Sequence, residues 1–181
     1  MRARDLGIKF EGQPGALNAI TDVPGLEVGM VTLISGEGDL IPDGGPVRTG
    51  VTAILPVGKS STQHAIPAGI YSLNGNGEMT GSHWINETGG LSGPIMITNT
   101  HAVGTVHRGV IEWVKQNFPE AAMEWLLPVV AETWDGYLND INGAHVTTEH
   151  AISAINSATG GQVSEGSHGG GTGMNCYGFK G

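Results

Sequence analysis

The sequence predicts one α/β domain of layered sheets and helices. Three observations lead there. Short apolar, strand-like segments are set off by glycine and proline, two stretches carry the spacing of an amphipathic helix, and no linker or internal repeat interrupts the 181 residues. That length is enough for a single unit with its own core. Hydrophobic residues make up 39 % and charged residues 14 %, the profile of a folded chain rather than a disordered one.

Taken in order, Leu26 to Ile34 has apolar residues at 26, 28 and 30, the period of a strand. Val51 to Leu55 is short, mostly apolar and closed by Pro56, and Pro94 to Thr98 reads as a buried strand. Residues 105 to 117 place Val106, Val110, Trp113 and Val114 on one helical face, with Phe118-Pro119 as the stop. Residues 120 to 127 suit a short helical or irregular piece, and Leu126 to Ala131 another buried strand. Over residues 148 to 158, Ile152, Ile155 and the alanines share a side, with Thr147 or Thr148 as N-cap and Gly160-Gly161 as the stop. The last residues, Cys176 to Gly181, carry no terminating signal and read as a chain interrupted before a further strand. Glycine is abnormally frequent, at 31 residues. Its clusters, Gly169-Gly170-Gly171-Thr172-Gly173 above all, predict tight turns or backbone lying close to another group.

Composition and spacing exclude several functions. The net charge of −9 and the absence of a basic cluster argue against nucleic acid as a partner, and an acidic chain better suits a cationic group such as a free amine. One cysteine, Cys176, excludes an internal disulfide and any multi-cysteine metal site. No apolar run approaches the roughly 20 residues that span a membrane. The start, Met1 to Asp5, lacks the apolar core of a signal peptide, so the expectation is a cytoplasmic protein, or a periplasmic one if a presequence was removed. Gly58-Lys59-Ser60 follows a strand as in a phosphate loop, but position 53 is alanine where the motif needs glycine. Gly75 and Gly77 start a dinucleotide fingerprint that fails at Thr80, and Gly169 and Gly171 one that fails at Met174. The seven histidines form no paired metal-ligand motif, so neither metal nor cofactor is expected. No Gly-x-Ser-x-Gly elbow occurs, and turn chemistry accounts for Ser82, Ser92 and Ser167 beside glycines.

What remains is a dense polar stretch after a buried strand, Glu132 to Gly143, which includes Trp134, Asp135, Tyr137, Asn139 and Asp140. A carboxylate beside an aromatic wall suits an ammonium group, by charge pairing with Glu132 and a cation–π face on Trp134. The alternative is a surface loop built of Asx turns. Asn99, in Thr98-Asn99-Thr100-His101, has the same placement at a strand end; it either orients a substrate carbonyl or caps the helix that follows.

At these residues the chain resembles the DmpA/BapA family, the L-aminopeptidase D-Ala-esterase/amidases and β-peptidyl aminopeptidases. The matching stretches are Asn18 to Gly25, Val47 to Thr52, Leu73 to Gly81 (which contains Asn76), Thr98 to Gly104, Pro128 to Thr133 and Gly169 to Met174, in family order over nearly the whole chain. The resemblance implies an αββα sandwich and a precursor that cuts itself before a serine. That serine becomes the N-terminal nucleophile of a β chain and uses its own α-amine as base. It also implies that residues 1–181 are one domain portion, the N-terminal part of that precursor, with the serine and an oxyanion asparagine expected after Gly181. The implied substrates are short peptides, amides and esters with a free amine, including D-alanyl and β-amino-acid residues, and the implied assembly is a homo-oligomer of αβ units. Glu132 becomes the ammonium anchor, with Trp134, Tyr137, Asn99 and Asn76 as further substrate-binding residues. Trp134 stands where relatives carry Tyr or Asn. An acyltransferase of the ornithine acetyltransferase type and a non-catalytic scaffold subunit are the competing readings.

Overall fold

The structure, a computed structural model, describes residues 2–123 and 125–180. Its frame is a four-stranded sheet in the order β1-β2-β5-β6. Strands β1 (Glu27–Ser35) and β2 (Val47–Leu55) pair antiparallel from Glu27↔Leu55 to Ser35↔Val47. After them come the short strands β3 (Ile66–Pro67) and β4 (Gly90–Leu91), which pair with each other and flank helix α1 (Ser82–Thr88). Strand β5 (Ile95–Asn99) lies antiparallel to β2. Helix α2 (Val103–Asn117) then carries the chain back so that β6 (Val129–Thr133) runs parallel to β5, the crossover geometry that a parallel neighbour requires. Helix α3 (Thr148–Asn156), a three-residue helical turn at Gly169–Gly171 and a hairpin of β7 (Asn175–Cys176) and β8 (Phe179–Lys180) complete the order.

The core lies between the sheet and the pair α2/α3. Val51, Ala53 and Leu55 alternate along β2 and meet Met96 of β5, Val130 of β6, the Val106-Val110-Trp113-Val114 face of α2, and Ala151, Ala154 and Ile155 of α3. The indole N–H of Trp113 donates to Asn156 Oδ1 at 2.8 Å and joins the two helices. Helix α3 comes so near β1 that a Cβ on Gly29 would overlap the Ala154 carbonyl oxygen. On the opposite face of the sheet, the Gly169–Gly171 turn is held by Thr32 Oγ1, which accepts from Gly169 N at 2.9 Å, and by Thr52 Oγ1, which accepts from Gly170 N at 3.0 Å. The glycine cluster is thus the close approach of backbone to sheet that its composition suggests. One helical layer on one sheet is half of the four layers expected.

Several elements differ from the periodicity reading. The strand expected over 126–131 begins at Val129 because Pro128 has no N–H to give a ladder. Helix α3 starts after Thr147 as expected; the His150 ring accepts the Thr147 N–H at 3.0 Å. It stops at Asn156 rather than at Gly160-Gly161, because Thr159 exchanges two backbone hydrogen bonds with Val28 at the sheet edge. The helical piece expected over 120–127 is the turn Ala121–Met123, with Glu124 outside the described residues. Helix α1 was not anticipated: seven residues between two left-handed glycines, Gly81 and Gly89, bury only Ile85 and leave no periodic signal.

Candidate active site at the carboxyl ends of β5 and β6

Strands β5 and β6 end side by side, and in α/β sheets ligands bind beyond the carboxyl ends of the strands. Here the register Thr98↔Glu132 and Asn99↔Thr133 sets that end. Glu132 is half-buried, and its Oε2 accepts a hydrogen bond of 2.5 Å from the Thr100 hydroxyl. On its other side, residues 78 to 80 run along the free edge of β6. Glu132 N donates to Glu78 O, Thr80 N donates to Val130 O, and Met79 bridges to Ala131. This places Gly77 against Glu132, so that a Cβ on Gly77 would lie 3.1 Å from Oε1. Asn76, exposed, precedes it with its N–H held by Asn74 Oδ1 at 2.8 Å.

Asn99, 4 % exposed, begins the turn Thr100–Ala102 that leads into α2. Its Oδ1 accepts from Ala102 N at 2.9 Å, the capping role that the sequence left open, and its Nδ2 donates to Thr49 Oγ1 at 2.9 Å. Thr49 is in turn hydrogen-bonded to the carboxyl of Asp135, which also accepts from Asn139 Nδ2 at 3.0 Å, while Asn139 Oδ1 accepts from Arg48 N at 2.9 Å. Asp135 is 1 % exposed, and burial pushes its pKa up despite the hydrogen bonds from Thr49 and Asn139. The polar stretch after β6 therefore divides. Asp135, Asn139 and Asp140 turn inward and hold the loop, whereas Trp134 and Tyr137 face outward, 51 % and 66 % exposed. The Trp134 indole lies against Gly136, where a Cβ would stand 3.1 Å from its ring atoms.

Asp140 anchors the next turn through His145 Nε2 at 3.1 Å and Asp43 N at 3.2 Å. Desolvation raises its pKa, but the hydrogen bonds from His145 and from the backbone of Asp43 and Gly45 outweigh it and hold the group below its ordinary value. A cavity of about 120 Å³ beside this turn is lined by Asn99, His101 and His145 among others. A larger one, about 910 Å³, lies at the opposite ends of β5 and β6, among Pro94, Pro128, Phe118, Trp84 and Trp125. Glu132 lines neither, so the site is assigned by its chemistry and not by cavity size. Among the described residues no group of His, Cys, Asp and Glu converges as metal ligands would, and no helix is long and apolar enough to cross a membrane.

The structure brings Glu132 and the backbone beside Asn76 together, and sets Asn99 one residue before Thr100. It keeps Trp134 and Tyr137 on the loop that leaves Glu132. Sequence reasoning missed Thr100, Gly77, Thr49 and the inward role of Asp135. The Thr98↔Glu132 register that makes Thr100 a neighbour of Glu132 has no local signature.

Comparison with known proteins gives the family of the chain. The chain is 59 % identical over 181 residues to the β-peptidyl aminopeptidase BapA of Sphingosinicella microcystinivorans and 53 % identical to that of Sphingosinicella xenopeptidilytica; each alignment covers 99 % of this chain and 45 % of the relative. Among solved structures, the L-aminopeptidase D-Ala-esterase/amidase of Ochrobactrum anthropi, described as a serine-aminopeptidase prototype and a variant of the Ntn hydrolase fold, superposes with a TM-score of 0.91 at 48 % identity, over 99 % of this chain and 50 % of that one. A Burkholderia sp. β-aminopeptidase gives 0.90 at 47 % identity, over 100 % and 50 %. The chain thus spans about half the length of these relatives. The family model for peptidase family S58 matches residues 18–181, and the chain belongs to that family.

Proposed function

We propose that this chain forms the amine-binding half of a serine N-terminal-nucleophile aminopeptidase. The carrying observation is Glu132: a carboxylate at the carboxyl ends of two parallel strands, with Oε2 tied to Thr100 and Oε1 beside the Gly77 backbone. Such an oxygen suits the free ammonium group of a peptide, amide or ester. Trp134 and Tyr137 supply exposed aromatic surface on the loop that leaves Glu132, Asn76 directly precedes Gly77, and Asn99 holds the turn that carries Thr100. The names of the relatives support β-amino-acid and D-alanyl substrates as well as α-peptides.

The nucleophile in this reading is a serine at the N-terminus of a β chain, released by self-cleavage from the part of the protein that corresponds to the relatives' other half. Its hydroxyl attacks the substrate carbonyl while its α-amine takes the proton; that proton then passes to the leaving amine, and water releases the acyl group. An asparagine in that half contributes to the oxyanion hole. The αβ units assemble as a homo-oligomer.

Glu132→Gln in the self-processed protein tests the assignment. The KM for an aminoacyl p-nitroanilide should rise by about tenfold or more, since a charged hydrogen bond becomes a neutral one. An unchanged KM would refute the anchor. Intact-mass measurement of the native protein tests the partner, which should appear as a second polypeptide beginning with Ser.

A further inference from the structure

The two oxygens of Glu132 have different surroundings, and the difference comes from Thr100 and Gly77. Thr100 Oγ1 donates to Oε2 at 2.5 Å and also lies 3.5 Å from Thr133 O. Thr100 is itself placed rigidly. It follows Asn99, whose side chain is buried and bonded to both Ala102 N and Thr49 Oγ1, so the start of the turn Thr100–Ala102 has little freedom. The other oxygen, Oε1, faces Gly77. That backbone is pinned alongside β6 by Glu132 N to Glu78 O at 3.1 Å and Thr80 N to Val130 O at 3.0 Å. A methyl group on Gly77 would sit 3.1 Å from Oε1, inside the shell of roughly 2.7–3.2 Å that an ammonium nitrogen needs.

Resting on the reading of Glu132 as the amine anchor, we infer that Thr100 is a positioning residue and Gly77 a specificity-determining one. Thr100 occupies Oε2 and fixes the carboxylate rotamer, so that Oε1 alone is presented to the substrate. Gly77 leaves the space around Oε1 open to a primary ammonium group. Without the Thr100 hydroxyl the carboxylate turns freely, and each binding event must order it. With a side chain at 77 the ammonium is crowded at its hydrogen-bonding distance.

The test uses the complete, self-processed protein and two substrates, an aminoacyl p-nitroanilide and the matching acyl p-nitroanilide without the amine. Thr100→Val should raise the KM of the amine substrate about tenfold with kcat changed by no more than about twofold, and leave the des-amino substrate untouched. Thr100→Ser should restore the KM, because it returns the hydroxyl. Gly77→Ala should raise the KM of the amine substrate at least as much as Thr100→Val does. Where valine at 100 does not fold, Thr100→Ala removes the same hydroxyl. Equal losses on both substrates, or a fall in kcat alone, would make Thr100 merely structural and overturn the inference. An unchanged KM in Thr100→Val beside a raised KM in Glu132→Gln would overturn it while leaving the anchor in place. No effect of Glu132→Gln would overturn both, and is recognisable as the failure of the underlying reading.

Discussion

Asp135 and Asp140 sit five residues apart on one loop and respond to pH in opposite directions. Burial raises the pKa of Asp135 above its ordinary 3.8, so the folded state holds that proton more tightly than the unfolded chain. Its contribution to stability is complete below about 3.8 and declines as pH rises through the raised value. Asp135→Asn removes that decline: between pH 4 and pH 7 the variant should lose less of its urea midpoint than the native protein, and parallel curves would contradict the assignment. The pKa of Asp140 is lowered, chiefly by His145 acting against desolvation. Its contribution is present above the ordinary value and lost as pH falls through the depressed one. Asp140→Asn should therefore destabilise at neutral pH, with the gap to the native protein narrowing in acid when midpoints are compared across the range.

At the scale of elements, the join between α2 and α3 rests on Trp113, which fills the core and donates one hydrogen bond to Asn156. The two contributions separate by substitution. Trp113→Phe keeps most of the ring and drops the N–H, at a cost of about 1 kcal/mol. Trp113→Ala opens a cavity under both helices and should cost about 3–5 kcal/mol. Denaturant unfolding of the two variants checks the order, and equal costs would mean that the hydrogen bond rather than packing holds the helices. The same join orients the site indirectly, since the turn that leads into α2 carries Thr100 and Asn99 caps it.

For the molecule as a whole, the uneven use of the two sheet faces is decisive. One face carries the main core and both long helices, whereas the other carries a smaller cluster of Ile85, Leu91 and Val129 and the Gly169–Gly171 turn, and leaves Ile34 exposed. A face of that kind suits a second layer, which in the proposed reading comes from the half that carries the nucleophile. With the nucleophile assigned to that half, the 181-residue polypeptide on its own should hydrolyse no aminoacyl p-nitroanilide. Turnover by the isolated chain, measured by nitroaniline release, would place a complete catalytic set within these residues and contradict the proposed division of labour.

Local chemistry made β1, β2, β5, α2 and α3 legible, because strand and helix periods and the breakers Pro56 and Phe118-Pro119 act within a few residues of themselves. It also made the polar stretch at Glu132 stand out, since a carboxylate and aromatics directly after an apolar strand are visible in one dimension. Tertiary structure alone decided what each of those groups does. Strand register brought Thr100 to Glu132, the 78–80 segment brought Gly77 to the other oxygen, and the Thr49–Asp135–Asn139 chain turned half of the polar stretch inward. These are contacts between residues far apart in the chain, whose pairing depends on how the sheet assembles and which the order of residues along one segment does not record.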